Sequence, residues 1–198
     1  MLKIPYSVTE TKTSPPLYAS PLAAGCDLRC SADIVIRPGE TILIPTDIAI
    51  ALPEGYEAQI RPRSGLSLKT SLRLANSPGT IDADYRDTIG LIAENTFDYG
   101  ALLSRLMWDN EMLTMLNTEY RRTTIAEVVN HDLPAAMADW TVWLDAKNNP
   151  YGTLYFDTGE RIAQMVIAKI EQAAFYKVAD VKQIGADRGG GFGSTGRA

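Results

Sequence analysis

An all-β fold, an antiparallel barrel or sandwich of jelly-roll type with one small α-helical insertion, is predicted by three features of this sequence. Through the first hundred residues apolar side chains alternate with polar ones in short runs. Turn signals separate those runs, with no long helical pattern between them. From Asn95 to Gly159 the period changes, and the alternation resumes only afterwards.

The strands follow in order. Leu2, Ile4, Tyr6 and Val8 alternate, as do Ile34 with Ile36, Ile42 with Ile44, and Ile48 with Ile50 and Leu52. Ala58 with Ile60 and Ile89 with Leu91 and Ala93 continue the pattern, and "RIAQMVIAKI" (161–170) reads as a further buried strand. The turns are "RPGE" (37–40), "LPEG" (52–55) and "NSPG" (76–79), each built on proline and glycine. The segment after Asn95 is too long for a hairpin loop, and structureless loops beyond about 12–15 residues are uncommon in compact domains. Leu102, Leu106, Leu113 and Leu116 make a helical stripe, widened by Leu103, Met107, Met112 and Met115, so a helix is predicted over 101–118. "TIAE" (124–127) fits a capping box. Pro134 suits a first turn, and Leu133, Met137, Trp140 and Leu144 recur at helical spacing, which predicts a helix over 133–146. The expected division is a β domain over 1–98 and 154–186, a helical insertion over 99–153, and a glycine-rich arm over 187–198.

With 198 residues, 45% of them hydrophobic, the chain can bury a core without covalent staples. Its net charge of -5 argues against nonspecific attraction to DNA or RNA backbone. An acidic protein handling a phosphorylated ligand needs local arginines or a divalent cation. "MLKIPYSVTE" has no apolar leader core and no run reaches membrane-spanning length, so a cytoplasmic location is expected. Cys26 and Cys30, on one face of any strand there and too far apart to bond, are expected to be small apolar residues. The histidine, His131, is distant from them in sequence, which disfavours zinc.

Five clusters carry chemistry. "AGCDL" (24–28) places the carboxylate of Asp27 after a glycine; "RPRSGL" (61–66) brings two arginines and a serine to a strand end. "NSPGTIDADYRD" (76–87) offers Asn76, a glycine turn, Asp82, Asp84, Tyr85 and Arg86, and "GERIAQ" (159–164) adds Arg161 and Gln164. "RGGGFGSTG" (188–196) has five glycines in nine residues, whose bare amides can wrap an anion while Phe192 lies on a flat ring. Singly, each has an ordinary structural explanation: a turn carboxylate, a solvated arginine, a hairpin.

In series, "AGCDL", "PRSGL", "GTIDADYR", "GERIAQ" and "GFGSTG" resemble the five sequence motifs of the trimeric dUTPases, in family order and covering 24–95 and 159–196. An insertion in this region is a feature of some phage members. The resemblance implies a jelly-roll subunit, a homotrimer with shared active sites, and hydrolysis of dUTP to dUMP and pyrophosphate by Mg²⁺-assisted attack of water on the α-phosphorus. It implies that Asp82 orients and deprotonates the water, a task for a carboxylate that is ionised at neutral pH. Asp84, two residues on and on the same face if the stretch is a strand, is the rival. Asp27 would hold the water shell of Mg²⁺, and Arg63, Ser64, Gly65 and Gln164 would contact phosphates. Asn76, with backbone groups at Gly79 and Ile81, would read the uracil edge; Tyr85 would pack under the deoxyribose. Phe192 would cap the base, with Gly193 beside it also binding substrate, Ser194 and Thr195 would serve the terminal phosphates, and Arg188 would supply charge.

Two departures stand out. "RGGGFG" is one residue shorter than the usual family spacing, which bears on the reach of Arg188, and Asp87 stands where a glycine is usual. The insertion reads either as a packed decoration or brace on the barrel, or as a docking surface for a protein partner such as a repressor, by analogy with some phage members, which would make the chain a nucleotide-responsive regulator. A deaminase acting on dCTP, a fold relative, would need a glutamate that "GTIDADYRD" does not offer.

Overall fold

The computed structural model describes residues 2–9, 14–129 and 132–187. The chain opens with β1 (Tyr6–Val8), β2 (Leu17–Tyr18), β3 (Cys26–Arg29), β4 (Ile34–Ile36), β5 (Thr41–Pro45), β6 (Ile48–Ile50) and β7 (Tyr56–Pro62). Helix α1 (Ser64–Lys69) leads into β8 (Leu72–Leu74), β9 (Gly79–Ile81) and β10 (Gly90–Asn95). The insertion comprises α2 (Tyr99–Leu106), α3 (Asn110–Glu119), β11 (Arg121–Thr124), α4 (Ile125–Val128), α5 (Ala135–Ala138) and β12 (Thr141–Leu144). β13 (Leu154–Phe156) and β14 (Arg161–Lys169) complete the barrel, and a 3-10 turn (Val181–Gln183) lies in the segment that follows.

Every ladder among the described residues is antiparallel. The largest sheet runs β2-β3-β14-β7-β9, a second runs β5-β10-β8, and β1-β6 and β4-β13 pair separately. Their inward side chains make one core, in which Leu28, Ile36 and Ile44 are fully enclosed and Ile48, Ile89, Leu91 and Ile162 are nearly so. This is the jelly-roll arrangement that the alternation predicts: Ile34 and Ile36 are buried on either side of exposed Val35. The predicted turns are present too, with Gly39 and Gly55 each at φ 78°, a conformation glycine adopts without strain. Cys26 and Cys30 lie in the core as free thiols, their pKa values pushed up chiefly by burial. No helix among the described residues is long and apolar enough to cross a membrane.

Two expectations are corrected. The N-terminal alternation yields only the short β1, whose Tyr6 and Val8 are exposed. Within the first hundred residues α1 interrupts the strands: the two arginines and the serine do lie at the end of β7, but Leu66 and Ser67 both donate backbone hydrogen bonds to the Arg63 carbonyl and close a helical turn there.

The insertion departs further. The predicted helix over 101–118 is two helices, because Asp98 and Asp109 each cap a start, accepting from the N–H of Gly100 at 2.7 Å and of Met112 at 2.9 Å. The predicted helix over 133–146 survives only as the single turn of α5; Thr141–Leu144 is a strand paired with Arg121–Thr124. The Thr-Val-Trp run prefers an extended backbone, and pairing with the Thr-rich β11 outweighs the helical spacing of its leucine and tryptophans. The capping box at Thr124 is present, with the Thr124 N–H donating to Glu127 Oε2 at 3.4 Å.

Leu102, Leu116 and Trp143 form a second small core, and Trp143 Nε1 donates to Asn117 Oδ1 at 3.0 Å. The hydroxyl of Tyr99 is enclosed there, and its pKa is pushed up to about 12, mainly by burial. Where the insertion meets the barrel, Asn95 is fully buried. Its amide donates to the carbonyls of Ile36 and Gly152 and accepts from Ser71 Oγ and the Phe97 N–H. Gly152 sits at φ 90°, and a Cβ there would stand 2.5 Å from the Phe97 ring. Gly152→Ala is therefore expected to destabilise the fold by about 1–3 kcal/mol through overpacking and backbone strain, measurable by denaturant unfolding.

Candidate active site

Asp27 lies on β3, and its neighbours Cys26 and Leu28 face the core, so its carboxylate points to the outer face of the large sheet. The register sets Gln164 of β14 directly opposite both Asp27 and Arg61 of β7. At the end of β7, Arg63 turns back over this row. Its Nε donates to Asp27 Oδ1 at 3.1 Å and its Nη1 to the Arg161 carbonyl at 3.0 Å. Arg161 Nη1 meets the other oxygen, Asp27 Oδ2, at 3.3 Å. Gln164 Nε2 donates to the Pro62 carbonyl at 2.9 Å. Gly25 makes room for it, because a Cβ there would stand 2.8 Å from Gln164 Oε1. Ser64 and Gly65 open α1 beside this cluster and are exposed. Residues from three distant parts of the chain thus form one group with a carboxylate, two guanidinium groups and an amide. Arg61 stays apart, its guanidinium turned to Gln59.

The second group lies on the connection from β8 into β9, two strands that belong to different sheets, so the hairpin expected there is not formed. The Asn76 amide sits over Gly79, where a Cβ would come within 3.2 Å of Asn76 Nδ2. Among the described residues β9 is an edge strand paired with β7 alone, so the other side of Gly79–Ile81 presents backbone donors and acceptors. The Ile81 side chain packs on the core. Beyond it the strand ends: Asp82 to Asp84 is a turn, closed by the Tyr85 N–H donating to the Asp82 carbonyl at 3.2 Å. The expectation that Asp82 and Asp84 share a strand face is corrected accordingly. Both carboxylates are exposed and line an open groove of about 840 Å³ with Glu54, Gly55 and Glu171. Tyr85 is not a core tyrosine; its hydroxyl donates to the Thr88 carbonyl at 3.0 Å.

Within one chain Asp82 does not reach the first group. Gln164 is level with Arg61, whereas Ile81 is level with Ala58, so Asp82 stands level with Glu57. Four residues of β7 separate those levels, about 13 Å at ~3.3 Å per residue. Arg188, Phe192, Gly193, Ser194 and Thr195 lie outside the described residues. Arg161 is the site residue that motif reasoning left unassigned. Its signal was the pair of apolar residues, Ile162 and Ala163, that breaks the alternation straight after it.

A cation could be held here only in part by protein. Among the described residues no three His, Cys, Asp or Glu side chains converge to hold a metal. Each oxygen of Asp27 receives one guanidinium and keeps a lone pair, enough to accept from a metal-bound water but not to build a cage. That donor set fits a hydrated Mg²⁺ whose other ligands come from substrate phosphates.

Residues 11–98 match the family model described as dUTPase. Over 91 residues the chain is 55% identical to the deoxyuridine 5'-triphosphate nucleotidohydrolase of Hydrogenobaculum sp. (strain Y04AAS1). That stretch is 46% of this chain and 63% of the relative, so the match spans under two thirds of the relative's length. Among solved structures, the Staphylococcus bacteriophage 80alpha dUTPase with dUPNHPP superposes with a TM-score of 0.71 at 23% identity, over 100% of both chains. The fold is that of the dUTPases. The dUTPase from phage phi11 of S. aureus, solved to visualise its species-specific insert, gives 0.65 at 24% identity, over 91% of this chain and 99% of that one. A variant of that phage dUTPase coordinates a structural Mg(II) ion.

Proposed function

We propose that the protein hydrolyses dUTP to dUMP and pyrophosphate, with Mg²⁺ as cofactor. The observation that carries this reading is the convergence of Asp27, Arg63 and Gln164 at one end of the large sheet, with Asn76 and the free edge of Gly79–Ile81 on the strand beside β7 and Asp82 four residues further along it. The first group suits a polyphosphate, because arginine and amide donors neutralise and orient its oxygens. Ser64 and Gly65 lie beside it for further contacts. The second suits a base and a water. Asn76 and the free edge of β9 offer donors and acceptors to a uracil edge, and such a site rejects a base with the wrong donor pattern strongly. Tyr85, held by Thr88, would pack against the deoxyribose.

Asp82 would accept the proton as a water oxygen bonds to the α-phosphorus and the bond to the bridging oxygen breaks, releasing pyrophosphate. Mg²⁺ bound at the phosphates would spread the charge that develops there, with Asp27 accepting from its waters. Since Asp82 stands four residues of β7 away from the Arg63 cluster in one chain, a working site would take Asp82 from one copy and Arg63 from another, which supports a homotrimer with shared sites. Phe175 and Tyr176, almost wholly exposed after β14, are consistent with cover from a neighbouring copy. Arg188, Phe192, Gly193, Ser194 and Thr195 would close the site over base and phosphates.

The test is pyrophosphate release with Mg²⁺ from dUTP, dTTP, dCTP and UTP. The expected result is release from dUTP at least about 100-fold faster than from the others, as for a site that reads hydrogen-bonding groups. Comparable rates on all four would overturn the reading.

A second reading concerns the 99–153 insertion. It buries its own core and exposes Met107, Trp108 and Trp140, a surface suited to a protein partner. A nucleotide-responsive regulator of this kind would keep its catalysis in the barrel. Excising 101–150 is expected to leave dUTP hydrolysis within about threefold, because the cores are separate; loss of hydrolysis would show that the insertion braces the barrel.

A further inference from the structure

We propose that Arg161 is a positioning residue of the phosphate half of the site, holding Asp27 and Arg63 in the geometry that receives a hydrated Mg²⁺–polyphosphate. The inference rests on the dUTP reading above. Its basis is an irregularity in β14. Arg161 pairs with Arg29 and Ala163 with Leu28, so two steps along β14 match one along β3, which is a β-bulge. Ile162 and Ala163 consequently both face the core, 1% and 0% exposed. Regular alternation would send Arg161 inward with Ala163 and Met165, where an unpaired guanidinium is costly. The extra residue turns it onto the outer face that carries Asp27 and Gln164. Bulges re-aim side chains in this way and are frequent beside active sites.

Once there, Arg161 does two things. Its guanidinium takes Asp27 Oδ2 while Arg63 takes Oδ1, which fixes the plane of the carboxylate from both sides. Its carbonyl accepts from Arg63 Nη1, so Arg63 is held at two points. The lone pairs left on Asp27 are thereby aimed in one direction. Fixing the acceptor of a metal-bound water matters to affinity about as much as fixing a direct ligand does, typically tenfold or more.

The experiment uses the full chain and a nonhydrolysable imido analogue of dUTP, with binding measured by calorimetry across a range of Mg²⁺ concentrations. For Arg161→Gln the Mg²⁺ concentration at half-maximal analogue binding is expected to rise about tenfold, with binding at saturating Mg²⁺ close to wild type. Arg161→Lys, which keeps the charge but loses the fork, should raise it less. An unchanged midpoint in Arg161→Gln overturns the inference, as does equal weakening at every Mg²⁺ concentration, which would mark a direct phosphate contact or a structural prop. Should Arg161→Gln fail to melt cooperatively, the lysine variant decides, and an unchanged midpoint there overturns the inference. A wild-type chain that binds no analogue at any Mg²⁺ concentration overturns the dUTP reading itself.

Discussion

Asp82→Asn is expected to lower kcat for dUTP by about a thousandfold, within the usual contribution of a general base, while analogue affinity changes little. Asparagine keeps the shape of the side chain and its place in the turn, but at neutral pH it cannot take a proton from water. The turn itself should persist, because the Tyr85 N–H bonds to the Asp82 backbone carbonyl and not to its carboxylate. Asp84 supplies the control. It shares the groove with Asp82 and is equally exposed, so a general loss of negative charge would affect both variants alike. Single-turnover measurements separate chemistry from binding. If Asp84→Asn loses the chemical step and Asp82→Asn keeps it, the base has been misassigned.

Mixing two inactive variants should restore activity. Arg63→Ala removes the guanidinium that holds Asp27 Oδ1, while Asp82→Asn removes the proposed base, four residues further along β7. If each site draws these two residues from different copies, random reassembly of equal amounts leaves about a quarter of the sites with both intact. If both came from one chain, no mixture could contain an intact site. The measurement is dUTP turnover after mild dissociation and reassociation, with the unmixed variants carried through the same treatment. Activity no greater than that of the unmixed variants would eliminate the shared site, and the separation of the two groups along β7 would then need another explanation.

Much of the barrel was legible because period-two alternation and burial have one cause. Ile44, Ile48 and Ile50 were expected inward and are inward, each on a strand with one face in the core. The turn glycines were legible for the same reason of strict local chemistry. Local pattern failed where tertiary pairing chose between two permitted conformations. Trp140 and Leu144 have helical spacing, yet β11 offered a partner strand, and Thr141, Val142 and Trp143 lost nothing by extending. Helix α1 was missed because six residues contain too little period to display. Of the site, residue types and order were readable in the motifs. Their spatial division was not, since which strands pair and in what register is decided by contacts far apart in the chain. The bulge that aims Arg161 is likewise a property of a ladder and not of β14 alone.

The contact between the Phe97 ring and Gly152 has a consequence for how such proteins diversify. Chain departs from the barrel and re-enters it at two points that touch, so for the barrel the whole excursion is equivalent to a tight turn. Closing a longer excursion between touching ends costs little extra entropy, about 0.6 kcal/mol per doubling of length. What hangs from that point can therefore be lengthened, shortened or exchanged while the barrel stays intact, and the family match stops at residue 98, where the excursion begins.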